Sequence, residues 1–96
     1  MSHARISGEA ENDLDQIASY TTATWGWRQT HKYLAKMEAC FDLLAANPSI
    51  GRRLDSVHEG LHRFEIGSHV VFYLPESEGV LVVRVLHEQM LPANYL

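Results

Sequence analysis

The sequence is poor in cysteine and in positive charge, and it has no long apolar run. Its 96 residues include one cysteine, Cys40, which excludes an internal disulfide and falls short of a cysteine-based zinc site. Eight Lys and Arg stand against twelve Asp and Glu, a formal net charge of −4. Proteins that bind nucleic acid mainly through phosphates are normally basic, so we expect no direct nucleic-acid binding. Apolar runs such as 80–83 are far shorter than the roughly 20 residues that cross a bilayer, so we expect no membrane span.

The remaining composition is that of a globular protein. Hydrophobic residues make up 46% of the chain and charged residues 21%, a balance that argues against disorder. The length is typical of one domain, and we predict a single domain over residues 1–96. The N-terminus leads into an acidic segment and not into an apolar signal region, which, with Cys40 as a free thiol, favours a cytoplasmic location.

Two amphipathic helices are predicted in the first half of the chain. After a short strand over residues 3–6, apolar side chains recur at helical spacing from Glu9, which predicts a helix ending near Trp25-Gly26. A second helix is predicted from Trp27 to Ala46, and Asn47-Pro48 ends it. The predicted buried positions are Ala10, Leu14, Ile17 and Thr21 in the first helix, and Leu34, Met37, Cys40, Phe41, Leu44 and Ala45 in the second. The link is so short that the helices must form an antiparallel hairpin.

The hydrophobic period changes to two in the second half, which predicts strands. Residues 47–60 have the composition of a loop with Arg52-Arg53 exposed, and strands are predicted over 61–66, 69–74 and 80–87 with a turn at 75–79. The last strand is apolar on both faces, so we expect it inside the sheet. The order β-α-α-β-β-β predicts an α+β fold, with the helical hairpin packed on one face of a small, mainly antiparallel sheet.

Six histidines raise the question of a metal site, but their spacing argues against one. His58 and His62 are four residues apart, yet they straddle a predicted loop and strand and do not share a helix face. No Cys, Asp or Glu stands at a matching ligand spacing. We therefore predict no metal site and no cofactor.

The helical hairpin carries two candidate binding features. Arg28, Lys32 and Lys36 form a basic stripe at four-residue intervals, which is either a solvated helix face or a docking patch for an acidic partner. Trp25 and Trp27 flank the turn between the helices. We expect one of them to pack under the turn and the other to be an exposed anchor, since aromatic anchors are enriched at binding hot spots.

Arg84 and His87 form the candidate catalytic pair of the last strand. A ribonuclease could use His87 to move a proton and Arg84 to stabilise the phosphorane. However, no lysine follows Lys36, and the second half lacks a basic cluster that would grip an RNA backbone. We therefore predict that the chain is not an enzyme and keep this pair as the alternative.

Three blocks of residues form a recognisable combination that covers nearly the whole chain. The first is Ala10, Asp13-Leu14, Ile17 and Tyr20 with Trp25-Gly26; the second is Tyr33-Leu34, Phe41, Leu44-Ala45 and Asn47-Pro48-Ser49-Ile50-Gly51-Arg52; the third is Gly60-Leu61-His62-Arg63-Phe64, Gly67-Ser68-His69-Val70-Val71-Phe72-Tyr73 and Val83-Arg84-Val85-Leu86-His87 with Met90 and Leu96. In these blocks the chain resembles the ParE branch of the RelE/ParE superfamily of bacterial toxin–antitoxin toxins.

The resemblance implies a type II toxin that inhibits DNA gyrase by protein–protein binding and is neutralised by a ParD-like antitoxin. The related RelE branch instead cleaves mRNA on the ribosome. Two alternatives therefore stay open: a ribosome-dependent endonuclease using Arg84 and His87, or a degenerate member that only binds its antitoxin. The net charge of −4 and the missing basic cluster favour the ParE branch.

The predicted fold also offers surfaces for the antitoxin. Open sheet edges can accept an added strand, and grooves of the hairpin can hold an amphipathic helix. The predicted antitoxin contacts are Arg63, Phe64 and Tyr73 on the sheet and Trp25, Trp27 and Tyr33 near the hairpin. The chain departs from the family pattern at Leu74-Pro75 and Glu88-Gln89, where relatives commonly carry a basic residue, so its tail is less basic than theirs.

Overall fold

In a computed structural model, which describes residues 2–96, two helices pack on a five-stranded sheet. The elements are, in chain order, β1 (His3–Ile6), α1 (Gly8–Trp25), α2 (Trp27–Ala46), β2 (Arg52–Arg53), β3 (His62–Ile66), β4 (His69–Glu76) and β5 (Gly79–His87), followed by a short 3-10 turn at Pro92–Asn94. The predicted α+β class and the helical hairpin are confirmed. No helix between residues 2 and 96 is long and apolar enough to cross a membrane.

The residues at the turns determine where the helices begin and end. Ser7 caps α1, because its Oγ accepts a hydrogen bond from the Ala10 N–H at 3.0 Å. Gly26 ends α1 with a φ of 90°, a conformation that residues other than glycine rarely adopt. Its N–H donates to the Thr22 carbonyl at 3.0 Å. Because α2 begins at the next residue, the two helices lie antiparallel.

The strands are ordered β1-β5-β4-β3-β2, so β5 has a neighbour on each side, as predicted. β1 runs parallel to β5, and the other three pairs are antiparallel. At Gly79, β1 approaches so closely that a Cβ would overlap the His3 backbone. In the middle of β5, Phe72 pairs with Arg84 and Tyr73 with Val82, which leaves Val83 as a β-bulge.

The sheet has an apolar cluster on each face. The larger cluster lies under the helices and includes Ala10, Ile17, Met37, Phe41, Leu44, Val71, Tyr73, Val82 and Val85. The smaller one is formed by Leu61, Val70, Phe72 and Leu86 on the opposite face, and side chains of the 54–57 loop and of Met90 cover it. Cys40 is a buried free thiol. The second cluster explains why β5 is apolar on both faces although the hairpin covers only one.

Two strand boundaries differ from the sequence prediction. Arg52–Arg53, predicted to be loop, form the short strand β2 because they pair with Arg63 and His62 of β3. Strand β4, predicted to end at Leu74, continues through Pro75 to Glu76 opposite β5. Proline is tolerated there because the pairing of β4 with β3 ends at Tyr73, which is opposite His62, so β4 is an edge strand beyond that residue.

Candidate functional site

The turn of the hairpin projects away from the core. Residues 22–29 are all exposed, and both tryptophans lie in this segment, Trp25 with 71% and Trp27 with 62% of its surface accessible. The prediction that one of them packs under the turn is wrong. Small side chains close the core at this level instead, since the Thr22 and Thr30 hydroxyls lie 2.7 Å apart and Thr30 Oγ1 donates to the Gly26 carbonyl at 3.2 Å.

The basic stripe continues from the tryptophans along α2. The Arg28 guanidinium lies 5.6 Å from the centre of the Trp27 ring, and His31 contacts the same ring edge-on at 5.7 Å. Lys32 and Lys36 follow on exposed positions of the helix. We call Trp25, Trp27, Arg28, Lys32 and Lys36 the hairpin-tip patch.

The Lys and Arg side chains of this patch differ from all others of the described residues in that they form no ion pair. Arg5, Arg52, Arg53, Arg63 and Arg84 each form an ion pair with a carboxylate at 2.7–3.7 Å. Within residues 2–96, Arg28, Lys32 and Lys36 have none. The acidic residues of α1 therefore do not neutralise the stripe.

A groove of about 350 Å³ lies between the two helices and reaches Ile6 at the end of β1. Its apolar lining consists of Ile6, Leu14, Ala18, Leu34, Met37 and Phe41. Leu14 and Leu34, predicted to be buried, are only partly covered because they face this groove. Asp15 and Glu38 line it as well, so an apolar segment with basic flanks would fit it.

The outer edge of β3 is only partly paired. β2 covers His62 and Arg63, whereas Phe64–Ile66 have no partner strand on that side among the described residues. Phe64 is half-buried, and Arg63 lies 3.7 Å from the Glu65 carboxylate. The buried Arg63 Nε has no acceptor within residues 2–96. An added strand that supplies a carbonyl or carboxylate would satisfy it.

Tyr73, predicted as an antitoxin contact, lies in the core with none of its surface exposed. Its hydroxyl donates to the Pro48 carbonyl at 2.8 Å and accepts from the Gly51 N–H at 2.9 Å. Burial raises the pKa of this tyrosine. The residue therefore anchors the loop after α2 and has no surface to offer a partner.

Tyr33 is half-buried and joins α2 to the turn between β3 and β4. Its hydroxyl donates to the Ile66 carbonyl at 3.2 Å and lies 2.7 Å from His69 Nδ1. Burial lowers the pKa of His69, and the His87 ring, whose centre is 5.5 Å away, lowers it further, while Glu88 opposes both effects. Tyr33 is therefore mainly a structural link, with one side still open to solvent.

Arg84 is held in a clamp with Asp13. Arg84 Nε and Nη2 donate to the two Asp13 oxygens at 2.8 and 2.9 Å, and the Val85 N–H donates to Asp13 Oδ2 at 2.9 Å. Arg84 Nη1 donates to the Tyr95 carbonyl at 2.9 Å. The bulge at Val83 shifts the alternation of side chains between the two faces of β5. From its position after the bulge, Arg84 contacts both α1 and the C-terminal tail. All three guanidinium nitrogens therefore have protein acceptors.

Asp13 had no functional or structural role of its own in the sequence analysis, although it belongs to the block of residues that carries the family resemblance. The signal was its position: Asp13 lies three residues after Ala10 and four before Ile17, on the buried face of α1. A carboxylate on a buried face requires a cationic or N–H partner. Arg84 is such a cation on the neighbouring strand.

The histidines considered for a metal site have backbone partners. His62 is buried against the Tyr73 ring, and its Nδ1 lies 2.8 Å from the Gly60 carbonyl. His58 Nδ1 lies 2.9 Å from the Glu59 carbonyl. No group of three His, Cys, Asp or Glu side chains placed to hold a metal ion occurs in the described part of the chain.

Comparisons with known proteins give one consistent family. The model of the family described as ParE toxin of type II toxin–antitoxin system, parDE, matches residues 4–92. Toxin ParE1 of Mycobacterium tuberculosis is 40% identical over 86 residues, covering 88% of this chain and 88% of the relative. Toxin ParE of Escherichia coli is 37% identical over 86 residues, covering 88% of this chain and 84% of the relative.

Solved structures agree on the fold. A chain of the chromosomal ParDE toxin–antitoxin system from P. aeruginosa has a TM-score of 0.75 at 18% identity, covering 91% of this chain and 96% of that one. A chain of the toxin–antitoxin complex RelBE2 from Mycobacterium tuberculosis has a TM-score of 0.60 at 23% identity, covering 90% and 96%.

Proposed function

Because the chain belongs to the ParE toxin family of type II toxin–antitoxin systems, we propose that it inhibits DNA gyrase by protein–protein binding and is neutralised by a ParD-like antitoxin. Gyrase is proposed as the target from the family resemblance, and a cytoplasmic site of action is proposed with it. The remaining support concerns how the toxin acts.

One observation carries the choice of binding over catalysis, and it is the Asp13–Arg84 clamp. The alternative endonuclease needs Arg84 to stabilise a phosphorane, whereas each guanidinium nitrogen already donates to a protein oxygen. His87 lines a cavity of about 220 Å³, but its Nδ1 accepts from the Gln89 N–H at 3.2 Å. Of the pair that sequence analysis kept for the alternative, Arg84 is therefore fully engaged within the fold and His87 is engaged through its Nδ1.

The antitoxin is proposed to use two surfaces. An extended segment pairs with β3 beside Phe64, where the edge lacks a strand among residues 2–96, and gives Arg63 Nε an acceptor. An amphipathic helix occupies the groove between α1 and α2. Tyr33 lies outside the lining of this groove, at the turn between β3 and β4, and its exposed side is proposed as a separate antitoxin contact. Trp25 and Trp27, also predicted as antitoxin contacts, lie at the hairpin tip, outside both of these surfaces.

The test of the function uses purified toxin on DNA gyrase supercoiling, with and without the antitoxin encoded beside it, next to an assay of ribosome-bound mRNA. We expect supercoiling to stop, the antitoxin to restore it, and the mRNA to remain intact. Cleaved mRNA with normal supercoiling would establish the endonuclease alternative. No effect in either assay would identify a degenerate member that only binds antitoxin.

The antitoxin surface is tested by affinity measurements on Arg63→Ala and Phe64→Ala. Each is expected to weaken antitoxin binding about tenfold, since interface anchors typically contribute more than about 1 kcal/mol. Arg53→Ala is the matched control, because Arg53 lies on the neighbouring strand but already pairs with Asp55 at 2.9 Å. Equal affinities for all three variants and the wild type would exclude the β3 edge.

A further inference from the structure

We propose that the hairpin-tip patch is the surface that binds the toxin's target, and that it recognises an acidic face of that protein. The inference rests on the proposed function, which makes the target gyrase. It assigns Trp25 and Trp27 to the target and not to the antitoxin.

The tryptophans are placed for binding and not for folding. Trp25 and Trp27 have 71% and 62% of their surface exposed, and the whole segment 22–29 is exposed. Tryptophan is usually largely buried, and exposed tryptophans with arginine beside them are the residues that dominate protein interfaces. Their exposure thus gains nothing for the core and provides two anchors.

The charges of the patch determine the chemistry of the partner. Five of the eight cationic side chains already have a carboxylate, and the three without one inside residues 2–96 all lie on α2 next to Trp27. In a chain with a net charge of −4, this is a local excess of positive charge. A carboxylate-bearing surface is its complement.

The positive charge at the start of α2 is unfavourable for the helix itself. The first turn of α2 contains Arg28 and no acidic residue, and its cap residue is Gly26. Positive charge at a helix N-terminus is unfavourable because it adds to the positive end of the dipole. By contrast, α1 begins with the Ser7 cap followed by Glu9. A local conflict of this kind is expected at functional sites.

Part of the patch is held by contacts within the chain. Arg28 is stacked over Trp27, and the Thr22–Thr30 hydroxyl contact joins the two helices at the base of the tip. Fewer side-chain rotamers remain to be fixed on binding, which lowers the entropic cost of association. Such an arrangement suits a surface that must bind without a conformational change.

The number of cations favours a protein over other anionic partners. Proteins that bind duplex DNA through the backbone commonly neutralise about 6–10 phosphates, and lipid-binding clusters commonly contain about 4–8 Lys or Arg. The patch has three cations, and further along the same helix Glu38 and Asp42 reverse the charge. An acidic protein surface with room for two indole rings is the remaining match.

The charge of the helix groove separates target from antitoxin. Asp15 and Glu38 line the groove proposed for the antitoxin, which therefore favours basic flanks on the segment that fills it. The tip favours the opposite charge. Two surfaces of opposite preference on one hairpin fit two different partners.

The test compares two paired-charge variants of the full chain. Lys32→Gln/Lys36→Gln removes two charges from the patch, and Arg5→Gln/Arg53→Gln removes two elsewhere, where exposed ion pairs contribute little to stability. Trp25→Ala/Trp27→Ala removes the anchors. We measure the toxin concentration that halves gyrase supercoiling, the affinity for the antitoxin, and the unfolding midpoint of each variant.

We expect the half-inhibitory concentration to rise about tenfold for the lysine variant and about 100-fold for the tryptophan variant, with the arginine control, antitoxin affinity and unfolding midpoints unchanged. Wild-type inhibition with equally potent tip variants would overturn the inference and leave the proposed function standing. An equal loss of antitoxin affinity would assign the patch to the antitoxin. Failure of the wild type to inhibit gyrase would overturn the proposed function. It would also overturn the inference that gyrase binds the hairpin-tip patch.

A second arm tests the acidic preference without gyrase. Both tryptophans of the chain lie in the patch, so tryptophan emission, excited at a wavelength that the four tyrosines do not absorb, reports on it alone. We expect poly-L-glutamate to shift the tryptophan emission at low salt and the lysine variant to lose this response. No shift with poly-L-glutamate, or a larger shift with phosphatidylglycerol vesicles or duplex DNA, would overturn the choice of an acidic protein.

Discussion

Removal of the Asp13 carboxylate is expected to destabilise the fold far more than removal of a carboxylate from the exposed face of the same helix. Asp13→Ala takes away three charge-assisted hydrogen bonds, two from Arg84 and one from the Val85 N–H. It leaves a largely covered guanidinium facing no anion, since the Asp13 and Arg84 side chains retain only 10% and 17% exposure.

The magnitude follows from that intermediate burial. Exposed ion pairs contribute about 0–1 kcal/mol, whereas breaking a buried pair costs about 3–5 kcal/mol. We expect Asp13→Ala to cost about 3 kcal/mol, a large share of the roughly 5–14 kcal/mol that a chain of this length possesses. With a urea dependence of about 1–2 kcal/mol per molar, the midpoint falls by roughly 2 M.

The assay is urea unfolding followed by far-UV circular dichroism, because both tryptophans are exposed and report little on the core. Asp15→Ala is the matched control: Asp15 lies on the same helix, is exposed, and forms no ion pair within residues 2–96, so its loss is expected to stay within about 0.5 kcal/mol. In Asp13→Ala/Arg84→Met the loss should be smaller than the sum of the single losses by about 1.5 kcal/mol or more. An Asp13→Ala variant as stable as Asp15→Ala would refute the clamp.

Three further predictions concern other parts of the fold. Because the pKa of His69 is lowered in the folded protein, the unfolded chain binds more protons as pH falls through the ordinary value of 6.5. The free energy of unfolding therefore declines from pH 7.5 to 5.5. Urea unfolding should show a smaller decline in His69→Gln than in the wild type. Tyr73→Phe leaves the Pro48 carbonyl and the Gly51 N–H without their partner, and calorimetry should show a loss of about 2 kcal/mol; an unchanged transition would contradict the anchoring role. Gly79→Ala places a Cβ on the His3 backbone, and faster amide hydrogen exchange confined to the β1–β5 pair should reveal the separation; protection equal to the wild type would argue against close approach.

Sequence patterns were sufficient for elements whose apolar period is long and unbroken. The helix face from Ala10 to Ile17 and the stop at Gly26 define α1 without reference to the rest of the chain, and β5 has an apolar run that only an interior strand requires. By contrast, Arg52–Arg53 form a strand solely because β3 lies beside them, a long-range cause that two polar residues do not reveal.

The candidate site was harder to predict because it depends on which groups meet in space. The sequence alone makes Arg84 a plausible catalytic residue, whereas in the structure Asp13, 71 residues away in sequence, binds its guanidinium. Tyr73 has a polar hydroxyl, as surface aromatic residues often do, yet it is buried. Its hydroxyl binds the loop after α2 from within the core. One tryptophan was predicted to be packed and one exposed, whereas both are exposed, because a contact between two threonines closes the hairpin instead.

The most direct test of a toxin that acts by binding compares wild-type toxin with His87→Ala in the gyrase supercoiling assay and on ribosome-bound mRNA. Inhibition by both proteins to the same extent, in proportion to the ratio of toxin to gyrase and with the mRNA intact, is the predicted result. Cleavage of the mRNA by the wild type that His87→Ala abolishes, with supercoiling unaffected, would contradict it.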